Sequence, residues 1–305
     1  MDAVSRPSWR LVALASLVLT AVVVPTTPAA AADLSPFRGL GTWVDVYDYV
    51  PGFQSDGGPP PVTVDSIDDM AVLGVDTLYL QAAQDDDRIR GATVDPELLG
   101  SFLRRAHDVG IDVVAWYLPK FDDTRGDLRR IKGLAKFRSK GERFDGIALD
   151  VEYTQALPDP AARNPALVEV ARKSRDIVGS RPLGAIVLEP LLLEEVNPQY
   201  WPDFPWRKIH DAFDVWLPMS YWTNRDTESG FRDGFVYTEK NIRRVRKNLR
   251  DADAAVHAIG GIADSAATKD YLGFVKAAER RDAIGYSVYD FNTTTSGVWA
   301  RLREG

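Results

Sequence analysis

Short β-rich runs recur eight times along this chain, and helical patterns separate most of them. The runs are Gly39–Tyr47, Val75–Gln81, Ile111–Leu118, Phe144–Glu152, Leu183–Glu189, Phe213–Tyr221, Val256–Ile262 and Ile284–Phe291. Helical periodicity predicts helices over Ser66–Leu73, Pro96–Asp108, Arg125–Lys140, Pro165–Val178, Thr238–Leu249 and Ala267–Arg280. Eight strands alternating with helices over this length is the count of a (β/α)8 TIM barrel. A doubly wound open sheet is the alternative, but no G-x-G-x-x-G or other phosphate-binding loop follows any strand.

Barrels of this kind build their sites from the loops after the carboxyl ends of the strands, and polar and aromatic residues collect there. Asp45 and Asp48 close the first run, Gln81 the second, Trp116 and Tyr117 the third, and Asp150 and Glu152 the fourth. Glu189, then Met219 and Tyr221, then Asp264, then Tyr289 and Asp290 follow for the remaining four. The fourth run, F-D-G-I-A-L-D-V-E, is the most informative. Strand alternation puts Ala148, Asp150 and Glu152 on one face and Ile147, Leu149 and Val151 on the other. Two carboxylates about 7 Å apart along a strand do not both ionise comfortably in a poorly hydrated site, so one is a candidate proton donor. Asp145 is out of phase with that row and is expected to anchor the strand start through backbone hydrogen bonds.

The N-terminus reads as a secretory signal peptide: Arg6 and Arg10, an apolar run from Leu11 to Val24, then Pro-Ala-rich sequence through Ala32. Removal of residues 1–32 would leave 33–305 as one barrel, exported and not stably inserted in a membrane. The chain has no cysteine, so its stability comes without disulfides. Its net charge of −7, with Lys and Arg dispersed, argues against a nucleic-acid partner. The basic group Arg243, Arg244, Arg246, Lys247 and Arg250 reads as a solvated helix face. Only three histidines are present, and none belongs to an H-x-x-x-H or His-carboxylate cluster, so no metal or cofactor is expected. His107, near Gly110, reads as a helix-end residue.

These strand ends resemble glycoside hydrolase family 18, the chitinase-like barrels, whose fourth strand carries D-G-x-D-x-D-x-E. Asp145, Gly146, Asp150 and Glu152 match, while Ala148 stands where the inner aspartate is expected. Met219-Ser220-Tyr221 matches the family's Met-x-Tyr element on strand six, followed here by Trp222 instead of the usual aspartate. Tyr289 occupies the place of the tryptophan that floors the sugar site. The resemblance implies a secreted hydrolase of an N-acetylhexosamine polymer, chitin-like or peptidoglycan glycan, with Glu152 as acid. Asp150 and Tyr221 would then assist the substrate acetamido group, an exception to the two-carboxylate scheme. With Ala148 in place of an acid, Asp150 is expected to stay ionised more readily.

Substrate contacts are expected from Asp45, Gln81, Trp116, Tyr117, Glu189, Met219, Trp222, Tyr289 and Asp290, with Trp222 offering a flat surface for a sugar. Two other readings stand beside this one. The departures at Ala148, Trp222 and Tyr289 suit a carbohydrate-binding barrel that has lost catalysis. Alternatively, Asp-x-Glu also looks like the family 25 lysozymes, and a second carboxylate such as Glu189 would suit a peptidoglycan or galactosamine-type exopolysaccharide hydrolase.

Overall fold

The computed structural model describes residue 1 and residues 32–304. The apolar leader read in the sequence therefore lies almost wholly outside the described residues. The chain divides into Met1–Ala30 and Ala31–Gly305, and the second unit holds the fold. Among the described residues no helix is long and apolar enough to cross a membrane.

In chain order the elements are β1 (Gly39–Val44), α1 (Val46–Tyr49), α2 (Ser66–Val72), β2 (Thr77–Gln81), α3 (Pro96–Asp108) and β3 (Asp112–Tyr117). There follow α4 (Thr124–Lys136), β4 (Gly146–Val151), α5 (Pro160–Val178), β5 (Leu183–Leu188), α6 (Trp206–Ile209) and β6 (Val215–Ser220). The chain ends with α7 (Gly234–Leu249), β7 (His257–Gly261), α8 (Thr268–Arg280), β8 (Gly285–Tyr289) and α9 (Ser296–Leu302). The eight strands are parallel and pair in sequence order, β8 closing on β1, so the (β/α)8 barrel expected from the alternation is the observed fold.

Each strand is shorter than its β-rich run, and what is trimmed carries most of the chemistry. Asp45, Glu152, Glu189, Tyr221 and Asp290 all lie just beyond a strand, where the backbone turns into a loop. At β1 the cause is local. The Asp45 carboxylate accepts from the Tyr47 N–H at 2.7 Å and the Asp48 carboxylate accepts from the Asp45 N–H at 3.2 Å, which starts a helical turn where a longer strand was expected. Similarly, α5 starts at Pro160, not Pro165, because Asp159 caps it by accepting from the Ala161 N–H at 3.0 Å. Asp233 likewise starts α7 at Gly234, earlier than the apolar pattern suggests. Four short helical segments had no strong periodic signal: α1, α6, α9 and a π-helical turn over Leu192–Val196.

The barrel interior is filled from below. Phe37 plugs the bottom, and Gly146 and Gly184 make room for it, since a Cβ on either would meet its ring at 2.8 Å. Above it the buried His257 imidazole donates Nδ1–H to the Phe37 carbonyl at 2.9 Å, and burial pushes its pKa down to about 4, so it stays neutral. Next, Trp43 stacks on Tyr79 with centroids 4.3 Å apart, and its Nε1–H donates to Ser287 Oγ at 2.8 Å. This packed column ends under the acidic strand ends, where Trp43 meets a cavity.

Candidate functional site

Asp150 and Glu152 point to the interior side of β4, as strand alternation requires, and both line a cavity of about 310 Å³. Trp43, Asp45, Gln81, Trp116, Met219, Tyr221 and Tyr289 complete the walls relevant to chemistry. Asp150 is almost completely buried, and its Oδ1 has no hydrogen-bond partner among the described residues. Burial, and then the neighbouring Glu152 charge, push the Asp150 carboxyl well above the usual range. Burial raises Glu152 as well. The expectation that Asp150 would ionise more readily beside Ala148 is therefore corrected. Losing a like charge helps ionisation, but neither Ala148 nor its register partner Trp116, whose indole N–H makes no hydrogen bond among the described residues, donates to Asp150, and desolvation wins.

Tyr221 lines the same cavity. Its hydroxyl makes no hydrogen bond among the described residues, and its proton is held tightly by burial and by the charges of Glu152, Asp150, Glu189 and Asp290. It is thus an available O–H donor beside two carboxyls that share little hydration. On the opposite wall the Tyr289 hydroxyl donates to Asp45 at 2.5 Å.

Asp290 does not line the cavity, contrary to expectation. It belongs to a cluster with Asp45 and Asp48, whose facing oxygens all lie within 4.8 Å of one another. Thr293 satisfies Asp290 through its N–H and its hydroxyl, both at 2.9 Å, and Asn292 donates to Asp48 at 3.2 Å. Asp48 is pushed up to about 7, by burial first and then by Asp45 and Asp290.

Two further sequence expectations are overturned by side-chain phase. Tyr117 follows Trp116 on β3 and so faces away from the cavity, donating its hydroxyl to Asp127 of α4 at 2.5 Å. Trp222 is buried against Tyr271 and Phe274 and offers no face to a sugar. It sits one residue past Tyr221, where the chain has already turned toward α8.

Glu189 is brought to a second groove, of about 620 Å³, that shares Glu152, Met219 and Tyr221 with the first. Tyr237 of α7 donates to Glu189 at 3.1 Å, and Arg225 lies 3.5 Å from the same oxygen. Burial nevertheless lifts Glu189 to about 7. Glu152 thus forms the partition between two spaces, one deep and aromatic, the other wider and polar. Trp43 and Arg225 escaped the sequence reading. Trp43 shares the face of Asp45 two residues on and was legible from alternation, whereas Arg225 lies in a loop where no periodicity applies.

A larger hollow of about 740 Å³ lies beside α4, lined by Arg125, Arg129 and Lys132 among others, and has none of the strand-end acids. Size therefore does not pick out the site; the convergence of perturbed carboxyls does.

No family model matches the sequence, and no curated protein matches it. Solved structures do match the fold. A class V chitinase from Pseudomonas fluorescens Pf-5 superposes with a TM-score of 0.61 at 10% identity, covering 88% of this chain and 99% of that one. The spore cortex-lytic enzyme of Bacillus megaterium QM B1551 gives 0.59 at 9% identity, covering 92% and 76%. An endo-1,4-beta-D-mannanase from Thermotoga petrophila RKU-1 gives 0.61 at 12% identity, covering 88% and 98%. The fold is thus similar to that of TIM-barrel glycoside hydrolases, chitinases among them, and at such identities the likeness extends to the fold alone.

Proposed function

We propose that this protein is a glycoside hydrolase acting on a polysaccharide that contains N-acetylhexosamine, with Glu152 as the general acid. One observation carries the reading: the buried Asp150 and the half-buried Glu152 close β4 beside an unbonded tyrosine hydroxyl, all lining one aromatic cavity. An acid that keeps its proton toward neutral pH is what protonation of a glycosidic oxygen needs.

In this mechanism the acetamido N–H of the bound sugar donates to the side of the Asp150 carboxyl that faces the cavity. Asp150 then ionises in the complex, and the proton of the pair resides on Glu152. Glu152 transfers it to the glycosidic oxygen as the bond to the anomeric carbon breaks, while the acetamido oxygen forms the new bond to that carbon. Tyr221 donates a hydrogen bond to the acetamido oxygen as charge develops. Water then opens the cyclic intermediate and returns a proton to Glu152. Trp43, Trp116 and Tyr289 supply ring surfaces, and Asp45, Gln81 and Met219 the remaining wall. Export with removal of residues 1–32 belongs to the same proposal, since such polymers lie outside the cell.

The test is Glu152→Gln, assayed on chitooligosaccharides and on peptide-free peptidoglycan glycan. A loss of roughly 100- to 10,000-fold in kcat with an unchanged melting temperature is expected; unaltered turnover would sink the assignment. Binding of these glycans by the wild-type protein without any cleavage would instead support the non-catalytic reading. A second hydrolytic reading has its own support, because Glu189 and Glu152 line one groove and Glu189 is lifted to about 7. It predicts that Glu189→Gln loses as much turnover as Glu152→Gln and that an exopolysaccharide lacking N-acetyl groups is still cut.

A further inference from the structure

Arg225 poses a problem that the proposed chemistry does not use. Its side chain is nine-tenths buried, yet it makes no side-chain hydrogen bond among the described residues, and its Nε is enclosed without a partner. A guanidinium presents five N–H donors, so burying it with one loose ion pair, a tyrosine ring at 5.8 Å and no side-chain hydrogen bond is costly. The nearest anion, Glu189 at 3.5 Å, forms no hydrogen bond to it and is already engaged by Tyr237. Glu189, lifted to about 7, is also not a full counterion at neutral pH.

The loop that carries Arg225 is nonetheless firmly built. Thr223 ties it to β7, donating to the Gly261 carbonyl and accepting from the Ile262 N–H, both at 2.9 Å. The Arg232 guanidinium donates to the Thr223 carbonyl at 3.1 Å and the Arg225 carbonyl at 2.8 Å. Arg225 is therefore held in the wall of the polar groove, with Asn197, Tyr200 and Asn224 around it and Glu152 at its inner edge. Elsewhere the rim is acidic, which makes this the place where a negative group of the substrate is tolerated.

We infer that the groove beyond Glu152 receives a carboxylate-bearing sugar unit, whose carboxylate pairs with the Arg225 guanidinium. This rests on the glycoside hydrolase reading and narrows its substrate to an acidic glycan. A carboxylate fits the planar fork in two parallel hydrogen bonds, which a neutral N-acetylhexosamine in the same groove does not supply. The carboxylate has two sources in such polymers, a lactyl ether on an N-acetylhexosamine or a uronic acid.

The probes are β-linked tetrasaccharides of N-acetylglucosamine alternating with its 3-O-lactyl ether, and of N-acetylglucosamine alternating with glucuronate, each beside its uncharged carboxamide. The wild-type protein is expected to prefer one acid over its carboxamide by roughly 10- to 100-fold in kcat/KM, expressed in KM. Whichever acid shows the preference identifies the source. Arg225→Ala should abolish that preference, and Arg225→Lys, which keeps the charge but not the fork, should restore only part of it. Equal treatment of acid and carboxamide by the wild-type protein overturns the inference, as does an equal loss on both in Arg225→Ala, which would make Arg225 merely the partner of Glu189. Calorimetric titration of the same probes into Glu152→Gln separates this from the parent reading. Arg225-dependent, acid-selective binding in a protein whose wild type cleaves nothing would fail the hydrolase and keep the site; cleavage without charge preference would do the reverse.

Discussion

The two ends of β4 treat the same residue type in opposite ways. Below the strand, Asp145 is partly exposed and well partnered: its Oδ2 accepts from the Val113 N–H at 2.8 Å and from His107 Nε2 at 2.9 Å, and so fastens β3, β4 and α3 together. Above it, Asp150 is more deeply buried and has an oxygen with no donor at all. The lower acid stabilises the fold because its hydrogen bonds replace those of water, whereas the upper one is left expensive to ionise. An unsatisfied group at the bottom would be a flaw. At the top it borders a cavity, at the end of the strand where barrels place their chemistry.

The sharpest way to break this contrast is to neutralise the upper acid. Asp150→Asn is expected to cut kcat on an N-acetylhexosamine glycan by roughly 100-fold or more, yet to leave the protein at least as stable as before near neutral pH. The sign follows from linkage. A carboxyl raised on folding binds more protons in the native state, so it erodes stability as pH climbs above the unfolded value of about 3.9, and Asn removes that loss. A fall in melting temperature at pH 7 would place Asp150 with the structural acids. Tyr221→Phe should cost roughly 10- to 100-fold in kcat with KM little changed, as expected for a donor used mainly in the transition state; an effect confined to KM would contradict that role.

At the lower end the expected signature is thermodynamic. Asp145→Ala strands the buried Val113 N–H and should destabilise the protein by about 1–3 kcal/mol in urea titration, with kcat retained. His107→Ala should show the smallest effect, about 1 kcal/mol. The hydrogen bond to Asp145, and then that to Glu142, raise His107 to about 9. Its contribution is therefore fully present below pH 6.5 and fades as pH rises to about 9. Melting curves of the wild type and His107→Ala should converge above that pH; a constant gap would show that packing, not charge, is lost. His107 sits in the last turn of α3, the helix end expected for it, and adds an ion pair that reaches the strands.

Much of the fold was legible because a barrel is a repeat of local patterns. Apolar runs with β-rich composition and helical periodicity are each readable within a few residues, and their alternation leaves few topologies. The inward phase of Ala148, Asp150 and Glu152 followed from alternation alone, and the structure places Asp150 and Glu152 on one cavity wall. The expectations that the structure corrects lie at the strand ends and just past them, where period-two reasoning stops. Tyr117 ends β3 next to Trp116 yet faces away from the cavity, because neighbours on a strand face opposite ways. Trp222, expected as a sugar platform, and Asp290, expected as a strand-end contact, each lie in a turn that redirects the side chain.

The sequence by itself determined the element order, the barrel, the position of the acidic pair on its inner face and the acid-bearing ends of the other strands, all of which depend on short-range chemistry. Only the tertiary structure decided how those ends are used. It buried Asp150 without a donor, drew Asp45, Asp48 and Asp290 into one cluster, turned Trp222 into the core, and set Arg225 beside Glu189 across a groove from Glu152. Desolvation and charge proximity arise from residues distant in sequence, and no local pattern carries them.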